Sequence, residues 1–314
     1  MKNTPRKIAR GLARRFRNWL DGDVAADEID EERNRFHNFA YSDINCRMLQ
    51  IMNDAGHLVR PNYTWAVLHS AYLAKSLGIP RISVIEFGVA GGNGLVALEE
   101  VAARVEPMFG VKIDVIGFDT GEGLPRVLDY RDMPNIYTPG TYKMDADGLK
   151  KRLKRARLVL GNVADTLQDF LASKPAPIGF ISVDVDLYTS TVDALKVLDA
   201  DESLLLPRVH CYFDDIMGCS CAEFLGERLA VNEFNEAHPD SKISPIFGLW
   251  NYVPKRHAND LWVHMIYMAH LLDHRLYCAD DGMVTRKSED LAKQVAGPKA
   301  AAVPAAAAMV RAPS

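Results

Sequence analysis

Three observations predict a doubly wound α/β fold with a mostly parallel sheet. From residue 82 onward, short apolar runs alternate with helical stretches, the order that builds βαβ units. The runs 178–183 and 209–213 are apolar at consecutive positions, as in strands covered on both faces. A glycine turn, residues 88–94, joins the first strand to the helix after it, a junction where backbone can approach a ligand.

The elements follow in order. Residues 82–87 form the first strand, and residues 95–105 a helix of good helix formers. Residues 111–118 are the second strand. Residues 120–150, rich in Gly, Pro, Tyr and Asp, read as a long loop holding at most one short helix, and such loops are often functional. Residues 156–160 form a third strand and a helix spans about 163–173. The fourth strand, 178–183, leads to a helix at 189–198, and the fifth strand is 209–213. A helix at 222–236 precedes an aromatic region, 242–284, that supplies the last strands, with 261–268 the clearest.

Four regions result: a basic then acidic extension over 1–35, a helical lead-in over 36–80 broken at Val59-Arg60-Pro61-Asn62, a Rossmann-like domain over 81–285, and an Ala/Pro-rich tail over 286–314 expected to be disordered. Apolar residues make up 48% of the 314-residue chain, enough for a sizeable core, and the net charge of −4 gives no case for nucleic-acid binding. No apolar run is long enough to cross a bilayer and no secretory h-region opens the chain. The five cysteines lack framework spacing, so reduced thiols and a cytoplasmic setting are expected, and Cys219-Ser-Cys221 is not a zinc motif. Residues 5–20 place Ile8, Leu12, Phe16, Trp19 and Leu20 near helical spacing among basic residues. Such a helix fits a packing or dimerisation arm, and also peripheral contact with an anionic membrane.

The chemistry-bearing residues cluster at strand ends. Asp184-Val-Asp186 closes the fourth strand and Asp214-Asp215 the fifth. Parallel neighbours end on one edge, so both acidic clusters can face one crevice, where a divalent cation such as Mg²⁺ would compensate their repulsion. Glu86 precedes the glycine turn. A carboxylate there repels a pyrophosphate but suits a cationic ligand such as S-adenosylmethionine. Gly88, Gly92 and Gly94 can also be read as a short-chain dehydrogenase turn, yet the Tyr-x-x-x-Lys pair of those enzymes is absent. Asp119, ending the second strand, can accept both ribose hydroxyls in either cofactor class.

These segments resemble a known family. Val84-Ile-Glu86-Phe-Gly88-Val-Ala-Gly-Gly92 is similar to motif I of class I methyltransferases. Phe118-Asp119-Thr-Gly-Glu122-Gly123-Leu124-Pro125, Asp184-Val-Asp186-Leu-Tyr188-Thr-Ser190-Thr191 and Asp214-Asp215 resemble, in order, three segments of the macrocin O-methyltransferase family. The resemblance covers about residues 60–265. It implies a seven-stranded sheet, S-adenosylmethionine and a divalent metal, commonly Mg²⁺, and methylation of a hydroxyl on a small molecule such as a natural-product sugar. It assigns Asp184, Asp214 and Asp215 to the metal, with Asp186 beside them. Glu86, Gly88 and Gly92 would cradle the cofactor's amino-acid portion, Asp119 its ribose, and Asn162 and Val163, with Ala164, its adenine.

In this reading Asp184 is catalytic through the metal. A metal-bound hydroxyl is easier to deprotonate and is fixed in orientation. The base is left open. Leu187 stands where catechol-type enzymes carry a lysine. His210, His257 and His264 are candidates, with His257 preferred because it sits in a loop. Tyr137, Tyr142, Trp250 and Tyr252 are candidates to stack on the acceptor. The competing readings are a nicotinamide oxidoreductase and a non-catalytic protein of the same fold, and many class I methyltransferases dimerise.

Overall fold

The computed structural model describes residues 24–35, 39–218, 221–279 and 281. The basic segment 5–20, the tail 286–314 and Cys219 lie outside the described residues. The elements are α1 (Val24–Arg33), α2 (Phe39–Ala55), α3 (Pro61–Ser76), β1 (Arg81–Phe87), α4 (Asn93–Phe109), β2 (Lys112–Asp119), α5 (Ala146–Arg152), β3 (Arg157–Leu160), α6 (Val163–Ala172), β4 (Ile178–Val183), α7 (Tyr188–Leu195), β5 (Leu205–Phe213), α8 (Gly226–Ala237), β6 (Ser241–Pro245) and β7 (Ile266–Leu271).

The seven strands form one sheet in the order β3-β2-β1-β4-β5-β7-β6. Strands β3 to β5 pair in parallel, and β7 runs antiparallel to both β5 and β6. This is the Rossmann-like sheet of class I methyltransferases. The chain winds outward from β1 to β2 and β3, then crosses back to place β4 on β1's other side. The carboxyl ends of β1 and β4 therefore border the topological switch point, where open α/β sheets bind ligands.

Packing follows from the apolar runs. Every residue of β4 is buried, and β1 exposes only Arg81. The edge strand β3 has four residues, none of them buried, a short and protected edge. Helix α3 begins with Pro61 at its first turn, the position where a missing N–H costs nothing. It is buried from Asn62 to Ala71 because it lies between the sheet and neighbouring helices. Ser70 Oγ on α3 donates to the Gly179 carbonyl of β4 at 2.7 Å and lies 3.0 Å from His210 Nδ1. His210 is accordingly a core residue, and burial pushes its imidazole down to about 3.

Three differences from the sequence reading bear on the fold. β5 starts at Leu205, four residues before the expected 209. Pro207 lies inside it, where the β4–β5 register shifts, since proline cannot donate to a ladder and is tolerated at a bulge. The expected strand 261–268 is instead a 3₁₀ turn, Leu261–His264, followed by β7. Leu261, Trp262 and Val263 carry apolar character that suits either form, and the Trp262 indole donates to Asp260 Oδ2 at 3.1 Å, holding the turn. The segment 1–35 is not a detached extension at its C-terminal end: α1 packs on α2. Glu32 of α1 is buried and accepts from Arg35 at 3.0 Å, the Lys255 N–H at 2.9 Å and Asn45 at 3.3 Å.

Cys46, Cys211, Cys221 and Cys278 are free thiols. No helix among the described residues is long and apolar enough to cross a membrane.

Glu32 is thus the clasp between α1 and the loop at residue 255. Glu32→Ala removes the acceptor of the Lys255 N–H and of Asn45 and one acceptor of Arg35, which keeps the Val253 and Asn251 carbonyls, and should lower the free energy of unfolding by about 1–3 kcal/mol. Urea denaturation checks this, and an unchanged midpoint would show that α1 contributes nothing to the folded domain.

Candidate active site

The carboxyl ends of β1, β2, β4 and β5 and the start of α6 enclose a cleft of about 390 Å³. Glu86, Gly88, Gly92, Asp119, Asn162, Val163, Asp184, Asp214 and Asp215, expected from the sequence to share a site, all line it.

At the β1 end, Glu86 is 1% exposed. Its Oε1 accepts the Tyr63 hydroxyl at 2.6 Å, and that hydroxyl also lies 3.0 Å from Ser182 Oγ on β4. Tyr63 thereby ties α3, β1 and β4 together beneath the cleft. Glu86 Oε2 is buried with no partner. Burial pushes this carboxyl up to about 7, against the hydrogen bond from Tyr63 and the charge of Arg60.

Gly88 has φ +84, and a Cβ on it would sit 1.7 Å from the Asp184 carbonyl oxygen. Only glycine lets these two backbones meet. The contact locks the glycine turn after β1 to the first residue after β4, where the Asp184 N–H also donates to the Phe87 carbonyl at 2.9 Å. Asp119 holds the same turn from β2. Its Oδ2 accepts the N–H groups of Val89 and Ala90, both at 2.8 Å, and its Oδ1 that of Gly121 at 2.6 Å. Asp119 therefore shapes the turn as well as facing the cleft. Asn162 caps α6, its side chain accepting the Ala164 N–H at 3.2 Å, and Val163 follows it at the opposite wall.

At the β4 and β5 ends, carboxylate oxygens of Asp184, Asp214 and Asp215 lie within 4.8 Å of one another. The Asp214 N–H donates to the Val183 carbonyl at 3.0 Å, which sets the two acidic segments side by side. Two tyrosines aim the acids. Tyr212 donates to Asp214 Oδ1 at 2.6 Å, and Tyr137, from the long 120–150 loop, donates to Asp215 Oδ1 at 3.0 Å. Asp215 Oδ2 is buried and unpartnered. Behind the cluster, Glu227 of α8 is 1% exposed and accepts the Asp215 N–H at 3.0 Å. Asp186 lines the cleft from a left-handed turn at φ +61.

So many acids at one edge hold their protons tightly. Burial, then the charges of Asp214 and Asp215, push Asp184 up to about 8. Burial, then Asp215 and Asp214, push Asp186 up to about 7. Asp215 is raised mainly by burial, and Glu227 lies well above the usual carboxylate range for the same reason. The donor set is all hard oxygen, and one of its oxygens, Asp215 Oδ2, is buried without a partner, which fits a Mg²⁺-like ion.

Three expected contributors lie elsewhere. His257 is not at the cleft. Its Nδ1 is 2.6 Å from Asp260 Oδ2 and its Nε2 accepts from Arg256 Nε at 3.3 Å, so it serves the 254–260 loop near α1. Tyr252 packs on Tyr41, ring centroids 5.0 Å apart, and lines a different cavity with Trp65 and His69. Trp250 packs against His264 at 5.7 Å. Of the four aromatic candidates, Tyr142 lines the cleft and Tyr137 reaches Asp215. Tyr63, Tyr212, Glu227 and Arg60 were missed. Tyr63, Arg60 and Glu227 stand outside the motifs and reach the cleft only through the fold, while Tyr212, two residues before Asp214, reads as core within the apolar run of β5.

No protein-family model matches this chain, and no curated sequence does. Among solved structures, the calicheamicin methyltransferase CalS11 is similar at 20% identity, over 79% of this chain and 91% of that one, with a TM-score of 0.43. The O-methyltransferase NovP is similar at 16% identity over 55% of this chain and 72% of that one, TM-score 0.39. A Bacillus cereus O-methyltransferase in complex with SAH is 14% identical over 72% of this chain and 89% of that one, TM-score 0.33. The fold stated above rests on the strand order of this chain and not on these likenesses.

Two outcomes follow. Gly88→Ala should destabilise by at least ~1–2 kcal/mol from the left-handed backbone alone, whereas Gly91→Ala, with open space around its Cβ, should not; chemical denaturation of both variants compares them. The second concerns pH. The folded protein keeps a proton on Asp184 up to about pH 8 and on Asp186 up to about 7, while the unfolded chain releases both near 3.8. The folded state binds more protons across that interval, so metal-free stability falls as pH rises through it. Melting temperatures in chelator should drop between pH 5 and 8, and Mg²⁺ should restore more at pH 8 than at pH 5. A flat profile, or equal Mg²⁺ effects at both, counts against the acidic cluster as a cation site.

Proposed function

We propose that this protein is an S-adenosylmethionine-dependent O-methyltransferase that uses a divalent cation, Mg²⁺ or one like it, to methylate a hydroxyl of a small molecule. One observation carries the reading: a buried, half-unsatisfied carboxylate, Glu86, and a three-aspartate cluster share one cleft at the β1/β4 switch point. The sheet edge thus offers two stations for positive charge. Glu86 suits the donor's ammonium group, Asp119 its ribose hydroxyls, and the Asn162–Val163 corner its adenine. Asp184, Asp214 and Asp215 suit the cation.

Methyl transfer is an in-line displacement: the acceptor oxygen approaches the methyl carbon opposite the sulfur, the new C–O bond forms as the C–S bond breaks, and the hydroxyl proton must leave. A bound divalent ion would polarise that hydroxyl and fix its direction. The residues do the rest. Tyr212 and Tyr137 hold Asp214 and Asp215 in ligand orientation, and Glu227 braces the backbone of Asp215. The proton acceptor is assigned to a carboxylate of Asp186, because no histidine or lysine lines the cleft among the described residues. Residues of the 120–150 loop, Tyr142 among them, line the cleft where the acceptor would sit. The expected acceptor is a hydroxylated small molecule, a sugar among them.

Calorimetry with S-adenosylmethionine or its product, with and without Mg²⁺, tests the proposal. Donor binding should not require Mg²⁺. Mg²⁺ binding should be lost in Asp214→Asn, while Asp186→Asn should keep both ligands and lose turnover by about 10²-fold or more. Titrations in which no donor binds, or in which NADH binds in its place, would remove the methyltransferase reading.

A further inference from the structure

We propose that Arg60 receives the α-carboxylate of the donor's amino-acid portion, which makes the cleft selective for donors and products that retain that carboxylate. The inference deepens the methyltransferase reading and rests on it.

Arg60 stands just before α3, in extended backbone, as the residue before Pro61 must be. Its guanidinium enters a cleft otherwise lined by carboxylates: Glu86, Asp119, Asp184, Asp186, Asp214 and Asp215. Among the described residues it is the one lysine or arginine lining that cleft. Such a cation would be expected to grip one of those acids, yet no described residue forms an ion pair with it. Its described contacts are weak: a long hydrogen bond of 3.4 Å to the Tyr63 hydroxyl and a position over the Tyr63 ring, 5.2 Å from the centroid. The ring holds the guanidinium from one side and leaves most of its five donors to be used.

Its position relative to Glu86 gives the ligand. Gly94, in the first turn of α4, marks the place. A Cβ built on it would lie 1.8 Å from Glu86 Oε1 and 3.2 Å from an Arg60 terminal nitrogen. One carboxylate and one guanidinium therefore sit side by side, and neither neutralises the other by direct contact. An α-amino acid presents the opposite pair, an ammonium and a carboxylate on one carbon. The ammonium meets Glu86, which has a buried oxygen without a partner, and the carboxylate meets Arg60. A planar guanidinium suits such a carboxylate through paired hydrogen bonds. A donor lacking the carboxylate would bring only positive charge and leave Arg60 unpaired.

The test uses the full-length protein and two commercial probes, S-adenosylhomocysteine, which keeps the amino acid, and 5′-methylthioadenosine, which lacks it. Wild type should bind the first far more tightly. In Arg60→Gln, affinity for S-adenosylhomocysteine should fall by about tenfold to a hundredfold, while affinity for 5′-methylthioadenosine should stay within about twofold; that retained binding also shows that the variant is folded. Arg60→Lys should recover part of the loss. If Arg60→Gln weakens both probes equally, or neither, the carboxylate assignment is wrong while the donor site stands. If wild type binds neither probe, the donor site itself is wrong and this assignment goes with it.

Discussion

Crowded negative charge at one sheet edge is the constraint on which the rest of this structure depends. Asp184, Asp186, Asp214, Asp215, Glu86 and Asp119 face one cleft, with Glu227 buried just behind. Like charges this close cannot all ionise without compensation. The fold answers in part with hydroxyl donors: Tyr63 on Glu86, Tyr212 on Asp214, Tyr137 on Asp215. Each supplies one hydrogen bond and no charge. Oxygens left over, Glu86 Oε2 and Asp215 Oδ2, are buried without partners. Buried acceptors in that condition cost stability, and they persist where a ligand satisfies them. The cost is concentrated at two stations, which is what supports the proposal of two cationic guests rather than one.

The two stations are mechanically one. Gly88 of the first touches the carbonyl of Asp184 of the second, and Tyr63 bridges Glu86 and Ser182 beneath both. Backbone contacts of this kind would fix the spacing between the proposed donor and an ion-held acceptor. Effective molarity in a bimolecular displacement depends on that spacing to within fractions of an ångström. The switch point at β1/β4 supplies the spacing, because adjacent parallel strands end together. The long loop between β2 and α5 adds Tyr137 and Tyr142 to the side of the cleft that holds the aspartate cluster.

The legible parts of this site were those written in consecutive residues. Strand 178–183 was read to the residue because its apolar run is bounded by Pro177 and Asp184. Glu86, Asp119 and the paired aspartates were found because each directly follows or ends such a run. Arg60, Tyr63 and Glu227 escaped for the opposite reason, whereas Tyr212, two residues from Asp214, is hidden in the apolar run that precedes it. Tyr63 meets Glu86 across 23 positions, and Glu227 meets Asp215 from a different helix, pairings that only the tertiary fold creates. His257 misled because loop placement says nothing of direction: a turn of three residues binds it to Asp260. Trp250 and Tyr252 misled in the same way, since aromatic character cannot tell which cavity a ring lines.

The absence of a lysine or histidine in the described cleft lining turns the crowding into chemistry. Leu187 is fully buried where a lysine would otherwise follow the first aspartate, so no amine can enter from that side. In the proposed reaction the base then comes from the acids themselves. An ordinary carboxylate is too weak a base at neutral pH to help much, but one whose proton affinity is raised towards 7 is well matched to the task. Asp186 meets that condition through burial and through Asp215 and Asp214 beside it. It also stands outside the trio whose oxygens lie close enough to share a cation, in a left-handed turn after the end of β4. Burial, more than repulsion, raises the proton affinity of that acid, and a divalent ion at the neighbouring trio would compensate the repulsion that remains.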